Sequence, residues 1–286
     1  GNGTVSAGTV GVLVTSTSGD AEVVIGPGGT ADGNVGVGLS TTSGALTVEN
    51  AGTITGDSTG VVLSSTGTGA VGALVLTQTG TGTIRVNPGA GAGEGVVFLS
   101  VDADQVISGN GRSTTIDASN GTVGVSMLST GIGSIRFSSN TVLGRTGGFQ
   151  AQQTGAASQG IEVSGIGNIT TTSGTGVLLL ISNAGNSGSI SYLREGNVSG
   201  DTGIRAEITQ GSGGIAIVTS GDITAGNGSA INALIADTRA TNGSILVKTT
   251  TGNVITASNG QGIVAINRAG GTGTLDLFAL NDGALE

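Results

Sequence analysis

The sequence predicts an all-β protein, a parallel β-helix (β-solenoid) of about ten three-strand coils. Short apolar runs rich in β-branched residues recur between glycines, as in Gly196–Gly221, and runs of this kind are typical of strands. The runs return in groups of three about every 28 residues. Glycine accounts for 58 of the 286 residues and proline for only 2, which excludes a collagen-like triplet repeat.

Each predicted coil contributes one short strand to each of three faces. The first runs are centred on Val5, Ala31, Ile54, Ile84, Ile116, Val142, Ile169, Val198, Ile223 and Val254. The third runs lie near Val24, Leu46, Leu74, Val106, Ile135, Ile161, Ile190, Ile215, Ile245 and Leu275. Because side chains alternate along a strand, Ile245 and Val247 are predicted to point inward and Leu246 outward.

Two segments interrupt the rhythm within what we treat as one solenoid domain, residues 1–286. Residues 87–95 lengthen a corner of the fourth coil, and residues 144–160 replace the expected second run with a polar, Gln-bearing stretch. Insertions in solenoids usually map to surface loops, which often bind partners, although a tolerated corner insertion gives the same pattern. The candidate binding residues are therefore Phe149, Gln150, Gln152 and Gln153.

The composition narrows the possible functions. The chain has 9 basic and 18 acidic residues, a net charge of −9, and no basic patch of the kind that binds nucleic acid. No apolar run approaches the roughly 18 residues of a membrane helix, so we expect no membrane insertion by this segment. The absence of cysteine suits a chain that crosses a membrane unfolded, and the absence of histidine restricts catalysis.

No motif predicts an active site. Ser58 lies in a Gly-Asp-Ser-Thr-Gly stretch similar to a serine-protease nucleophile sequence, but such an enzyme needs a histidine base. Asp102 and Asp104 supply oxygens that suit Ca²⁺, yet no further acidic residues follow at loop spacing. Asp201, Asp222 and Glu195 mostly lie at predicted corners, where turn residues exposed to solvent are the usual interpretation. We therefore predict no catalytic residue, no metal site, no cofactor and no hydrolase activity.

The repeat resembles the passenger region of bacterial autotransporters and related haemagglutinin-type adhesins. The resemblance rests on a Gly-(Asp/Asn)-(Ile/Val)-Thr and Gly-Ser-Ile pattern. Examples are Gly221–Thr224, Gly167–Thr170, Gly52–Thr55, Gly188–Ser191 and Gly243–Leu246. It implies a right-handed β-helix, either released or displayed on the cell surface through an outer-membrane region outside this chain. With no signal peptide and no barrel after Leu280, we expect a passenger segment only.

The preferred functional hypothesis is an extracellular structural or adhesive stalk. Its partner would be a protein or glycan on a host or neighbouring-cell surface, and the rods could self-associate end to end or side by side. The alternative is a carbohydrate-active β-helix, which a cleft lined by stacked carboxylates would support. An ice-binding solenoid is suggested by Thr170–Thr172 and Thr249–Thr251, but the threonine positions drift between the predicted coils.

Overall fold

The computed structural model describes residues 3–69, 71–87, 92–157, 159–226, 234–239, 243–250, 252–258, 260–268 and 273–279. These residues are mostly β-strand, with one short 3-10 turn at Gly111–Ser113 and no α-helix. The described part of the chain accordingly has no helix long and apolar enough to span a membrane.

In chain order the strands are β1 (Thr4–Ser6), β2 (Val10–Ser16), β3 (Ala21–Ile25), β4 (Thr30–Thr41), β5 (Leu46–Asn50), β6 (Thr53–Ser65), β7 (Leu74–Gln78), β8 (Thr83–Val86), β9 (Glu94–Ser100), β10 (Gln105–Ser108), β11 (Thr115–Ala118), β12 (Val123–Ser129), β13 (Ile135–Ser138), β14 (Thr141–Gly144), β15 (Gly147–Gln153), β16 (Ile161–Ile166), β17 (Ile169–Thr171), β18 (Thr175–Ser182), β19 (Ile190–Glu195), β20 (Val198–Gly200), β21 (Thr202–Gln210), β22 (Ile215–Thr219), β23 (Ile223–Ala225), β24 (Leu234–Thr238), β25 (Ile245–Thr249), β26 (Ile255–Ala257), β27 (Ile263–Asn267) and β28 (Leu275–Ala279).

Successive coils stack in parallel, so each strand pairs with the corresponding strand of the next coil. The first and second faces form one 18-stranded sheet, because β4 and β6 each run through the corner between them. The third face, from β3 to β28, is a separate sheet of 10 strands. The protein is thus a right-handed parallel β-solenoid, which confirms the predicted fold class. The 10 strands of the third face are joined by about nine turns of the solenoid.

The interior is a narrow column of aliphatic side chains contributed by all three faces. Ile245 and Val247 are fully buried and Leu246 is half-buried, as the alternation predicts. Two third-face positions are shifted by one residue from their predicted centres. Val24 is 60% exposed while its neighbour Val23 is buried, and Val106 faces outward while Gln105 is buried. On the first face, the predicted centre Val254 is also shifted by one residue, because Ile255 of β26 pairs with Ile223 of β23.

The segment predicted to protrude at residues 144–160 contains a regular strand instead. β15 pairs in register with β12 on one side and with β18 on the other. Its inward positions carry Phe149, Ala151 and Gln153, so a polar composition here does not mark a loop. Of the other predicted insertion, residues 87–95, residues 88–91 lie outside the described ranges, and Glu94 already begins β9.

Buried polar side chains line the return corner, where the chain passes from the third face to the first face of the next coil. Asn50 Nδ2 donates to Gln78 Oε1 at 3.3 Å, and Gln78 Nε2 donates to Asn140 Oδ1 at 3.0 Å. Thr114 Oγ1 donates to the same Asn140 oxygen at 2.7 Å. These hydrogen bonds link coils that are distant in the sequence. Because a buried polar group is costly unless it is paired, removing any one of these side chains would leave its partners unpaired.

A column of glycines lines the opposite corner, between the first and second faces. Its members include Gly36, Gly60, Gly95 and Gly124. A Cβ atom added at Gly124 would press against Val142 and lie 2.7 Å from the carbonyl oxygen of Gly148 in the next coil. Glycine is needed here because adjacent coils approach too closely for any side chain.

Candidate functional site

The second face presents two straight rows of outward side chains. Strand alternation and constant register produce them, since each row takes one residue from each coil. Over the first eight coils, row one contains Leu13, Gly38, Val62, Val97, Ser126, Gln150, Leu178 and Arg205. Row two, two residues further along each strand, contains Thr15, Ser40, Ser64, Leu99, Leu128, Gln152, Leu180 and Glu207.

Much of this outward surface is apolar. Leu13 is 65% exposed and Leu99 is 41% exposed, while Leu128, Leu178 and Leu180 are half-buried. The interior positions of the same strands are already filled, so these side chains are additional to the core. The apolar side chains form a strip that Ser126, Gln150 and Gln152 interrupt. Exposed apolar patches of this kind are characteristic of an interaction surface.

A small apolar groove opens at the start of the strip. Gly38 lies in row one between Leu13 and Val62, and its missing side chain leaves a groove of about 220 Å³. Val10 and Val35 complete the apolar wall. The groove can receive an apolar side chain but has no charged residue among its lining groups.

Charged residues follow the leucine pair of β18 along the two rows. Arg205 Nη2 lies 2.9 Å from Glu207 Oε1, and both side chains point outward from β21. One coil further, Arg268 Nε lies 3.1 Å from Asp237 Oδ1. Exposed ion pairs add little stability. Their value here is positional, because they give this part of the second face a defined charge pattern.

The four predicted binding residues divide between core and surface. Phe149 is fully buried, and its ring centroid lies 4.5 Å from that of Phe137. Gln153 is also fully buried, where Nε2 donates to the carbonyl oxygens of Gly133 at 2.7 Å and Gln159 at 3.0 Å. Gln150 and Gln152 lie at the centre of the two outward rows and remain half-exposed. The structure therefore places two of the four on an accessible surface and uses the other two inside.

The remaining chemical candidates serve the corners. Ser58 Oγ donates to the carbonyl oxygen of Asn34 at 2.9 Å. Asp102 accepts hydrogen bonds from the backbone amides of Gly69 at 2.6 Å and Ile132 at 2.9 Å. These amides hold the pKa of Asp102 below its ordinary value. Asp102 thus joins the coil before it to the coil after it.

Other corner carboxylates act in the same way. Asp104 accepts from the Ser134 amide, Asp201 from Gly174 and Asp222 from Val254, all at 2.7 to 2.9 Å. Among the residues that the structure describes, no group of three or more carboxylates could hold a metal ion.

The first face carries a threonine row that the sequence did not reveal. Threonine occupies the same register position on every coil from Thr4 to Thr141, through Thr30, Thr53, Thr83 and Thr115. The predicted drift of threonines is therefore wrong for this face. The adjacent outward row, however, carries Asp32, Arg85 and Asp117, so the face lacks a second regular threonine row.

The third face bears an open polar groove of about 420 Å³. Its lining includes Ser134, Gln159, Ser189 and the exposed pair Arg136 and Glu162, whose Nε and Oε2 atoms are 3.8 Å apart. Arg136 Nη2 also donates to Gln159 Oε1 at 3.1 Å. The groove is hydrophilic and lacks the stacked carboxylates expected of a polysaccharide-cleaving site.

A sequence signal for the apolar rows did exist. Residues 177–181 read Val-Leu-Leu-Leu-Ile, and residues 96–99 read Val-Val-Phe-Leu, without polar alternation. Parallel strands that are apolar on both sides are typically covered on both faces. The fold and this surface define a class, a β-solenoid with an apolar outer face. Comparison with models of protein families, with curated proteins and with solved structures finds no match.

Proposed function

We propose that the protein is an extracellular structural or adhesive rod of a bacterial surface protein and that its second face makes the functional contact. The observation that carries this proposal is the apolar strip formed by rows one and two. Val97, Leu99 and Leu128 lie on one side of the glutamine pair, and Leu178 and Leu180 lie on the other.

Contact rather than catalysis suits the interior and the surface. The interior of the coils is filled by buried aliphatic and aromatic side chains, which leaves the outer faces to recognise a ligand. A long regular face provides many weak contacts that add along the rod. The cell-surface location draws its support from the resemblance of the repeat to autotransporter passengers and adhesins.

The test compares one double variant with a control variant in binding to cells and to immobilised matrix proteins. Leu178→Ser combined with Leu180→Ser removes apolar area from the second face, and we expect binding to fall at least about tenfold. Leu193→Ser is the matched control, because Leu193 is an exposed leucine on the third face. Thermal unfolding establishes that both variants fold. Equal loss in the control, or no loss in the double variant, would contradict the proposal.

A panel of polysaccharides, peptides and esters tests the enzymatic alternative in parallel. We expect no turnover of any of them. Turnover that disappears when a single aspartate is replaced would favour the carbohydrate-active hypothesis instead.

A further inference from the structure

At four coils of the second face, rows one and two carry residues of matching or complementary character. At three others an apolar residue stands beside a polar one, namely Leu13 beside Thr15, Val62 beside Ser64 and Leu128 beside Ser126. At one coil the pair is Val97 and Leu99, and two coils later it is Gln150 and Gln152. The next coil pairs Leu178 with Leu180. At the following coil the rows carry opposite charges, Arg205 in row one and Glu207 in row two.

This matching is what a self-complementary surface requires. If two copies meet face to face about a two-fold axis that runs along the rods, row one of each copy lies opposite row two of the other at the same level. Such a contact is isologous, with one patch used by both partners. Val97 then meets Leu99 of the second copy and Leu178 meets Leu180, while Ser126 meets Leu128. Gln150 meets Gln152 of the second copy, and Arg205 meets Glu207 of the second copy.

We infer that the second face binds a second copy of this chain, with the rods side by side, parallel and in register. This inference rests on the proposed function, since it names the partner of the same surface. An antiparallel arrangement centred on the glutamine pair is disfavoured, because it sets row one against row one. Val97 would then face Arg205, and Leu99 would face Glu207.

The available area is adequate for such a dimer. About eight coils spaced ~4.8 Å apart, each presenting about five residues at ~3.3 Å, give roughly 600 Å² per copy. The total of roughly 1,200 Å² is the lower limit for a specific protein–protein interface. In addition, β9 and β18 are apolar on both sides, which is typical of strands in sheets that are covered on both faces.

Charge reversal tests the pairing across the interface. Arg205→Glu places like charges opposite each other, and we expect the dissociation constant measured by sedimentation to rise at least about tenfold. Arg205→Glu combined with Glu207→Arg restores opposite charges across the axis and is expected to recover dimerisation. Arg136→Glu on the third face is the control and is expected to leave dimerisation unchanged. A monomeric wild-type protein, or a double variant no better than the single one, would overturn the inference.

Cross-linking tests the parallel register, which is practical because the chain has no cysteine. A tagged Val97→Cys protein mixed with an untagged Leu99→Cys protein is expected to form a heterodimer with a short bismaleimide. Val97→Cys mixed with Arg205→Cys is the control. In the parallel arrangement those two positions lie four coils, or roughly 19 Å, apart along the rod, whereas the antiparallel arrangement sets them opposite each other. Heterodimers in the control but not in the first mixture would show an antiparallel contact and overturn the inference.

The two proposals fail differently. A protein that is monomeric at all concentrations but binds cells through Leu178 and Leu180 would retain the adhesive function and contradict the dimer. A protein that dimerises in register but binds no cell or matrix surface would support the dimer and limit the rod to self-association.

Discussion

Arg194 lies over the ring of Phe137 inside the solenoid, with its guanidinium carbon 5.0 Å from the ring centroid. The arginine is only 2% exposed, and it donates hydrogen bonds to the carbonyl oxygens of Ser164 at 3.2 Å and Gly167 at 3.0 Å. It also donates to the carbonyl oxygen of Asn140, two coils back. Burial lowers the pKa of Arg194 from its ordinary value. Backbone oxygens and an aromatic face thus hold this cation in the interior.

The first prediction concerns this arginine. Arg194→Met removes the side chain that donates hydrogen bonds to three backbone carbonyl oxygens, and these oxygens stay buried without that donor. We therefore expect a loss of about 3–5 kcal/mol in the free energy of unfolding. Urea titration followed by circular dichroism measures the change. Arg136→Met is the matched control on the same face, where the side chain is exposed and its ion pair is weak. A loss below about 1 kcal/mol at Arg194 would show that the corner does not depend on it.

The second prediction concerns Tyr192. Its hydroxyl group is buried and has no hydrogen-bond partner among the described residues. Tyr192→Phe removes that unpaired group, so we expect stability at neutral pH to rise by about 1 kcal/mol. A decrease would indicate that the hydroxyl has a stabilising partner.

The prediction for this tyrosine extends to alkaline pH. Burial raises the pKa of Tyr192 from 10.0 to about 12. The unfolded chain therefore loses this proton first, and the stabilisation that is complete below pH 10 is lost as the pH rises towards 12. Urea titrations across this range should show a steeper loss of stability for wild type than for Tyr192→Phe. Parallel curves for the two proteins would contradict the buried position.

The third prediction uses two glycines of the second face as a matched pair. Gly124→Ala would force a methyl group against Val142 and the backbone of Gly148, so we expect a clear loss of stability, about 1–3 kcal/mol. Gly38→Ala places its methyl group 3.5 Å from Leu13 Cδ1, an ordinary contact, and we expect little change. Thermal unfolding measures both. Similar melting of the two variants would indicate that the close approach at Gly124 relaxes freely.

The fourth prediction concerns Asp102 and acid stability. Hydrogen bonds from the amides of Gly69 and Ile132 lower its pKa, so its contribution is present above the unfolded pKa and is lost as the pH falls through the folded value. Asp102→Asn should therefore be less stable than wild type at pH 7, and the difference should narrow in acid. Glu22→Gln, at an exposed third-face position, is the control. A difference that is constant from pH 7 to acid would contradict this role for the carboxylate.

The sequence predicted which residues point into the interior wherever an apolar run had a clear alternation. Ile245 and Val247 are buried as expected, and Ile135, Ile161, Ile190 and Ile215 occupy the same interior column. The prediction was wrong where inward positions carry polar side chains. Gln105 and Gln153 are buried with their Nε2 groups donating to nearby backbone oxygens, and composition alone does not show those partners.

The sequence by itself determined that the chain folds into stacked parallel coils. Short β-branched runs bounded by glycine cannot stand alone, and their recurrence lets each coil cover the next. Only the tertiary structure decided which outward residues stand next to one another. Corner lengths vary from coil to coil, and a shift of one residue moves every side chain of a strand to the other face. The threonine row on the first face and the two outward rows from Leu13 to Glu207 therefore became visible only once the register was known.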